Sequence, residues 1–165
     1  MISPGSRGLQ GLSDVRGWVS RSMPAQQSTW SLHPQLDADA ITLGDLPLSR
    51  VLLAKDANYP WLLLVPRRAH AREIIDLEGA DQARLMGEIA TASRALRTVT
   101  TCDKLNVAAI GNVVPQLHVH IIARRHTDAA WPRPVWGVAP PVVYDAARLD
   151  PFLAALRRAI RPAPD

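Results

Sequence analysis

The segment GNVVPQLHVHII, residues 111–122, decides the fold because it joins a turn to an alternating pattern of side chains. Its glycine and proline predict a turn, and QLHVHIIA, residues 116–123, has the composition of a β-strand. Successive side chains of a strand point to opposite faces, so Gln116, His118 and His120 share one face. The residues between them are aliphatic and are expected to pack against a helix: Leu117, Val119 and Ile121.

Four further segments have the length and composition of strands. They are residues 40–46, 49–55, 60–66 and 104–110. Prolines at both ends of the third mark where that strand stops, because proline cannot donate to a central ladder. The order of strands, one long helical segment, two adjacent strands and a closing helix predicts an α+β fold with a mostly antiparallel sheet.

Apolar spacing predicts the two helices. DQARLMGEIATASRALRTV, residues 81–99, places apolar side chains on one helical face, with Arg and Glu side chains opposite. That face comprises Leu85, Met86, Ile89, Leu96 and Val99. LDPFLAALRRAIRP, residues 149–162, predicts a closing helix with Asp150 as its cap and Pro151 at its first position.

Composition narrows the class of protein. A chain of 165 residues suits one domain, and a net charge of +4 with a pI near 10.0 fits a phosphate-bearing ligand. Nucleic-acid binding is not predicted, because no basic run has interleaved aromatic residues. The single cysteine, Cys102, excludes an intramolecular disulfide and a cysteine-based zinc site. No apolar segment approaches the ~20 residues that span a bilayer, and none resembles a signal peptide, so we expect a cytoplasmic protein without a membrane partner.

The domain organisation is simple. A segment rich in Gly and Ser predicts a flexible N-terminal tail over residues 1–27, followed by a single domain over residues 28–165. Met23 directly precedes the domain-like part of the chain and is a candidate translation start. Peptides containing Arg16 in the natively expressed protein would contradict that hypothesis.

The two imidazoles in a row can be ordinary surface histidines, metal ligands or catalytic groups. His-x-His on a strand can present two nitrogens to one ion, but a zinc site needs three or four protein ligands. The spacing of the other candidate metal ligands in the sequence does not indicate a metal site. These candidates are His70, His126 and Asp128. In the catalytic interpretation, a neutral imidazole attacks as a nucleophile when one nitrogen is held as N–H and the other is free.

A strand favours the nucleophilic arrangement. A nearby backbone carbonyl can accept from Nδ1 of one imidazole and leave its Nε2 free. A second imidazole, if protonated, would stabilise developing phosphate charge or donate to the leaving group. The turn at Gly111 and Asn112 offers phosphate a close backbone approach and N–H donors.

These residues carry a family resemblance. KLNVAAIGNVVPQLHVHIIARR, residues 104–125, resembles the signature of the histidine triad (HIT) family of nucleotide-binding hydrolases and transferases. LLAKDANYPWLLLVPRRAHAREIIDL, residues 52–77, is similar to the family's upstream strands, so the resemblance covers roughly residues 46–125. It implies a HIT-like α+β fold, with a five-stranded antiparallel sheet, one long and one short helix, and a homodimer.

The family's motif has alternating histidines, and this chain departs from it at the first, where Gln116 stands. The middle histidine, the family's nucleophile, matches His118, and the last matches His120. In such enzymes the middle histidine attacks the α-phosphorus, expels the leaving group and carries the nucleotidyl group until water removes it. Glutamine keeps hydrogen-bonding capacity but cannot gain a proton, so Gln116 is expected to tune the reaction rather than abolish it.

The resemblance also implies roles outside the triad. Asp56 matches the residue that contacts the ribose hydroxyls, with Asn58 as the fallback, although a turn role explains Asp56 equally well. His70 matches a histidine that supports the triad, so that Gln116 and His70 orient the site. The segment that contacts phosphate is matched by Asn106, Gly111 and Asn112.

Charged and aromatic residues near the motif have two interpretations each. Arg124 and Arg125 can hold polyphosphate or be exposed charges. Trp131 and Trp136 can stack on a base, or pack their proline-rich loop onto the domain or a partner subunit. Trp61 is expected in the core.

The implied activity is hydrolysis of a nucleoside phosphoanhydride or phosphoramidate, with dinucleoside polyphosphates and adenylylated amines as substrate classes. No cofactor is implied, although a divalent cation such as Mg²⁺ can accompany the substrate. Two rivals remain: a nucleotide-binding module without turnover, supported by Gln116, and a metal-binding protein using His118 and His120. A nucleotidyltransferase similar to galactose-1-phosphate uridylyltransferase fits less well, because in that branch the glutamine follows the nucleophile.

Overall fold

The computed structural model describes residues 29–161 of the chain. The tail predicted over residues 1–27 and the candidate start at Met23 lie outside the described residues. None of the helices in the described part is long and apolar enough to cross a membrane.

Five strands form one antiparallel sheet in the order β1-β2-β3-β5-β4. Their bounds are β1 Ala40–Asp45, β2 Ser49–Ala54, β3 Trp61–Pro66, β4 Lys104–Ala108 and β5 Val119–Arg124. The helices are α1 Pro34–Asp39, α2 Gly79–Thr100 and α3 Ala146–Ile160, with a 3₁₀ turn at Ile74–Asp76. The predicted α+β class, the antiparallel sheet and its two main helices are confirmed.

One face of the sheet carries the main core. Side chains of β2, β3 and β5 that point to this face pack against α2 and α3. From the β5 region these are the aliphatic residues predicted for the helix side: Leu117, Val119 and Ile121. The alternation of the sequence therefore predicted correctly which face of β5 is covered by helix.

The opposite face of the sheet is only partly covered. A smaller cluster joins Leu36 of α1 to Leu52, Leu63 and Val65 of the central strands and to Val114. His120 pairs with Leu63 in the ladder between β5 and β3, and so points to this second face. The two faces of the sheet therefore differ. One is covered by α2 and α3, and the other carries the histidines.

The strand predicted over residues 116–123 begins later than expected. Ladder pairing starts at Val119, and the chain from Gln116 to His118 is irregular. There the Leu117 N–H donates to the Ala71 carbonyl at 2.9 Å, and the Gln116 carbonyl lies against the His118 ring. The segment leaves the ladder because its backbone groups have these other partners.

The core face of α2 also differs from the prediction. Met86 is 65% exposed, whereas Glu88, predicted on the solvent side, is 6% exposed. The Glu88 carboxylate accepts the backbone N–H groups of Leu48 at 2.6 Å and Ser49 at 3.0 Å. A buried carboxylate is tolerated where it accepts hydrogen bonds from two backbone N–H groups. These hydrogen bonds explain why Glu88 is buried although the apolar pattern predicts it on the solvent side.

The closing helix begins earlier than predicted. Asp145 caps it, accepting the Ala147 N–H at 3.0 Å, and Pro151 lies inside the helix. The apolar stripe extends back to Leu149, which packs against the core with Leu153 and Leu156. That packing, with the Asp145 cap, explains why the helix continues through a proline that removes one internal hydrogen bond.

Candidate active site

A cavity of about 590 Å³ opens on the second face of the sheet. Its walls come from α1, the central strands, residues 110–114 and the histidine segment. The lining residues are Gln35, Leu36, Asp39, Ala40, Ala54, Trp61, Leu63, Ile110, Asn112, Val113, Val114, His118, His120 and Trp136. A mostly apolar cavity of this size with few polar groups is typical of a small-molecule site.

His118 is held in one orientation by the backbone. Its Nδ1 lies 2.7 Å from the Gln116 carbonyl oxygen, and the side chain is 6% exposed. Because a carbonyl can only accept, Nδ1 carries a hydrogen, and in the neutral ring Nε2 therefore keeps its lone pair. This is the nucleophilic arrangement that the sequence suggested, although His118 precedes the first ladder residue of β5.

His120 is held at both ring nitrogens. The Trp61 indole Nε1 donates to His120 Nδ1 at 3.0 Å, and His120 Nε2 lies 3.2 Å from the Ile110 carbonyl. An indole only donates and a carbonyl only accepts, so the ring is the neutral tautomer with hydrogen on Nε2.

Burial reinforces the neutral state of His120. Desolvation, with a smaller contribution from His118, lowers the pKa of His120 to about 4, against an opposing effect of the Ile110 carbonyl. These contacts favour a neutral ring over the protonated second imidazole considered for His120 in the sequence, and its role in the reaction stays a prediction. In this arrangement His120 is a neutral ring that is hydrogen-bonded at both nitrogens.

Two tryptophans complete the surroundings of His120. Trp61 and Trp136 meet its ring edge-on, at centroid distances of 5.3 and 5.4 Å. Trp61 was predicted to lie in the core, and it does pack against a buried cluster that includes Tyr59 and Ile122, but it also lines the cavity. Its position could have been found from the pairing of β3 with β5, because Trp61 shares the Leu63 face and Leu63 pairs with His120. Trp131 instead packs on His126 at 4.4 Å, outside the cavity.

Gln116 acts through two different parts of the residue. Its backbone carbonyl orients His118, as described above. Its side chain accepts the His33 N–H and donates to the Ser31 carbonyl, each at 2.8 Å. The side-chain amide therefore anchors the segment before α1 and does not line the cavity.

The turn before His118 brings the backbone close to the ring. A Cβ added at Gly111 would lie 2.9 Å from the Val114 carbonyl oxygen and 3.8 Å from His118 Cε1. Only glycine therefore fits this turn without a shift of the backbone. Asn112 lines the cavity, where its amide can contact a ligand.

Three residues proposed for phosphate have structural partners instead. Arg124 is 1% exposed and forms a salt bridge with Asp128 at 2.7 Å. It also donates to the Asn106 side chain at 2.6 Å. Arg125 donates to the Thr100 carbonyl at 2.5 Å. The interpretation of the two arginines as exposed charges is wrong for Arg124, and none of the three lines the cavity.

The proposed ribose and support residues lie elsewhere. Asp56 accepts the N–H groups of Asn58 at 3.0 Å and Val142 at 3.1 Å, as a turn residue does. The Asn58 amide is bound to Asp56 and to the Pro140 carbonyl, each at 2.8 Å. His70 is exposed, at a positive φ of 64° after β3. None of these predicted side chains lines the cavity, and their roles stay predictions.

Helix α1 was not predicted from the sequence. Its side chains Gln35 and Asp39 line the cavity, and the Gln35 amide donates to the Asp39 carboxylate at 2.7 Å. The signal was Pro34 at the start of a short polar segment, preceded by His33, whose ring accepts the Gln35 N–H at 3.1 Å. Asp39 supplies a carboxylate that can accept from hydroxyl groups.

The described residues do not form a set of side chains that could bind a metal ion. Within residues 29–161, no group of three or more His, Cys, Asp or Glu side chains could hold an ion. Both ring nitrogens of His120 are already engaged. The metal-binding alternative therefore lacks a donor set in this part of the chain.

Sequence comparison identifies the class to which this fold and cavity belong. The HIT domain matches residues 35–127, more than half of the chain. No curated protein sequence matches the chain. The chain belongs to the histidine triad (HIT) family, whose members are generally nucleotide-binding hydrolases or transferases.

Solved structures agree with this assignment. A histidine triad protein from Bradyrhizobium japonicum is 65% identical, with a TM-score of 0.79, covering 81% of this chain and 99% of that one. One from Marinobacter aquaeolei is 43% identical with a TM-score of 0.77, covering 80% and 96%. One from Sinorhizobium meliloti is 39% identical with a TM-score of 0.77, covering 79% and 97%.

Proposed function

We propose that this protein hydrolyses a nucleoside phosphoanhydride or phosphoramidate through a nucleotidyl intermediate on His118. The observation that carries the proposal is the orientation of His118, whose Nδ1 is held 2.7 Å from the Gln116 carbonyl in the wall of the cavity. A neutral imidazole with a free Nε2 is a competent nucleophile near neutral pH. Dinucleoside polyphosphates and adenylylated amines are the substrate classes.

Other groups of the cavity suit a nucleotide. Trp61 and Trp136 provide aromatic walls, and Asn112 provides an amide at the turn. Asp39 is a further acceptor for hydroxyl groups, and ribose contact by Asp56 or Asn58 is proposed from the resemblance. A homodimer, a cytoplasmic location and a substrate-borne divalent cation are proposed from the resemblance and the sequence.

The first test is release of AMP from a dinucleoside polyphosphate and from an adenosine phosphoramidate. Wild-type protein is compared with His118→Ala and with His126→Ala, a matched control whose ring pairs with Asp103 outside the cavity. We expect release by the wild type and the control, and a loss of at least about a hundredfold in His118→Ala. Equal release by all three proteins would contradict the proposal.

The second candidate function is nucleotide binding without turnover. It is favoured by Gln116, whose side chain is committed to His33 and Ser31 and so contributes no group to the cavity. Binding of AMP by calorimetry, without release from either substrate, would support this alternative over the hydrolase.

A further inference from the structure

The cavity is poor in groups that can transfer a proton. Expulsion of a basic leaving group requires a proton donor, whereas an acidic one departs as a stable anion. Among the described residues that line the cavity, the titratable side chains are Asp39, His118 and His120. Each already has a partner that decides what it can donate.

His118 cannot supply the proton while it acts as the nucleophile. Its one hydrogen, on Nδ1, is held by the Gln116 carbonyl, and its Nε2 is the attacking atom. The hydrogen therefore lies on the side of the ring away from the phosphorus and is not presented to a departing group.

His120 is the nearest other residue that could donate a proton to the leaving group, but its hydrogen-bond partners prevent that donation. A second proton on Nδ1 would set that N–H against the Trp61 indole N–H, which can only donate. The existing proton, on Nε2, is directed at the Ile110 carbonyl. The edges of Trp61 and Trp136 keep the ring away from water that would stabilise an imidazolium.

The remaining polar groups of the described lining do not supply a proton to the leaving group either. The Asp39 carboxylate accepts from the Gln35 amide at 2.7 Å and serves as an acceptor. Asn112 can donate a hydrogen bond, but an amide does not give up its proton. The Gln116 side chain is bound to Ser31 and His33.

We propose that residues 29–161 provide no general acid to this cavity, and that its substrates are nucleotides whose leaving group departs as a stable anion. This inference rests on the proposed nucleophilic role of His118 and narrows its two substrate classes to the phosphoanhydrides, so that adenylylated amines become slow substrates. Terminal phosphates of a phosphoanhydride satisfy the requirement, whereas amines and simple alcohols do not. The amide of Asn112 can then stabilise the departing anion by a hydrogen bond.

The reaction balances without an internal acid. His118 Nε2 forms a bond to the α-phosphorus, and the bond from phosphorus to the leaving oxygen breaks, with its electron pair going to the leaving group. Water then attacks the phosphorus and the bond to Nε2 breaks, restoring the neutral ring. One proton of that water stays on the nucleoside monophosphate and the other goes to solvent.

The test uses aryl esters of AMP that differ only in the acidity of the phenol. We would measure kcat/KM for the full-length protein, since this parameter reports the step in which the phenol leaves when that step is irreversible. Without a general acid, kcat/KM is expected to fall by roughly tenfold for each unit by which the phenol pKa rises. An adenosine phosphoramidate is expected to react about 10²–10⁴-fold more slowly than a dinucleoside polyphosphate, the range that general acid catalysis contributes.

The outcomes separate this inference from the function on which it rests. Release that depends on His118, but is nearly independent of phenol acidity, would overturn the absence of a general acid while leaving the nucleophile intact. Turnover of the phosphoramidate as fast as the anhydride would do the same. Release of no phenol from any ester, together with no AMP from the dinucleoside polyphosphate, would overturn the proposed hydrolase and this inference together.

Discussion

At the scale of single residues, the site depends on hydrogen bonds that fix imidazole tautomers. His118 is oriented by a carbonyl two positions earlier in the chain, and His120 by an indole and a second carbonyl. Since each partner can only donate or only accept, the location of each proton is determined. The chemistry available to the pair follows from these partners more than from the presence of two histidines.

Trp61 is predicted to set the tautomer of His120. Trp61→Phe keeps a ring but removes the donor to Nδ1 and leaves the Ile110 carbonyl as the one remaining partner, so a minor population of His120 with hydrogen on Nδ1 should appear. Nitrogen NMR of the imidazole should show hydrogen on Nε2 in the wild type and a mixture in this variant. Trp136→Phe, which changes the other ring in edge contact, is the control and should match the wild type. Identical spectra for all three proteins would contradict the role of Trp61.

His120 is also predicted to make stability depend on pH. Its folded pKa, about 4, is lower than its ordinary value of 6.5, so the unfolded chain binds the proton more readily. The stabilisation is complete above pH 6.5 and is lost as the pH falls towards 4, by up to about 3 kcal/mol. Urea unfolding of the wild type and His120→Asn between these pH values checks this. An equally steep dependence in the variant would contradict it.

At the scale of elements, the sheet was predictable and the details of its helices were not. Alternation along β5 and the aliphatic runs of β2 and β3 predicted the strands because burial on a sheet has a period of two. The burial of Met86 and the exposure of Glu88 were predicted wrongly. An apolar pattern contains no information about a carboxylate that accepts two backbone N–H groups across the core. Pro151 was misread because Asp145 provides an earlier cap.

Glu88 is predicted to stabilise the junction between α2 and the start of β2. Glu88→Ala would leave two buried backbone N–H groups without an acceptor, at a cost of about 2–4 kcal/mol. Met86→Ala, in the same helix but exposed, should change the free energy of unfolding by less than about 0.5 kcal/mol. The two variants are compared by urea denaturation, and similar values for both would show that Glu88 has no special role.

At the scale of the whole molecule, the cavity is assembled from distant parts of the chain. Gln116 contacts His33 across 83 residues, and this contact holds the segment that leads into α1. The histidines, the turn and the fold could be predicted from local patterns and from the resemblance. The contributions of Gln35 and Asp39 could not, because only tertiary structure brings α1 to the second face of the sheet.

Gln116 is therefore predicted to act on binding through α1. Gln116→Ala removes two hydrogen bonds to the segment before α1, which corresponds to about 1–2 kcal/mol. We expect KM to rise about fivefold to thirtyfold with little change in kcat. Hydrogen exchange should increase in residues 31–39 and not in β5. A fall in kcat at constant KM, with unchanged exchange, would indicate a direct role in the chemistry.

The most direct test of the central claim, that His118 is the nucleophile, is to trap the intermediate. The protein is mixed with a dinucleoside polyphosphate, quenched within one turnover, and analysed by mass spectrometry of the intact chain and its peptides. We predict an added AMP on the peptide that contains His118, present in the wild type and in His126→Ala and absent from His118→Ala. Release of AMP without any adduct, or with an adduct on another residue, would contradict the account.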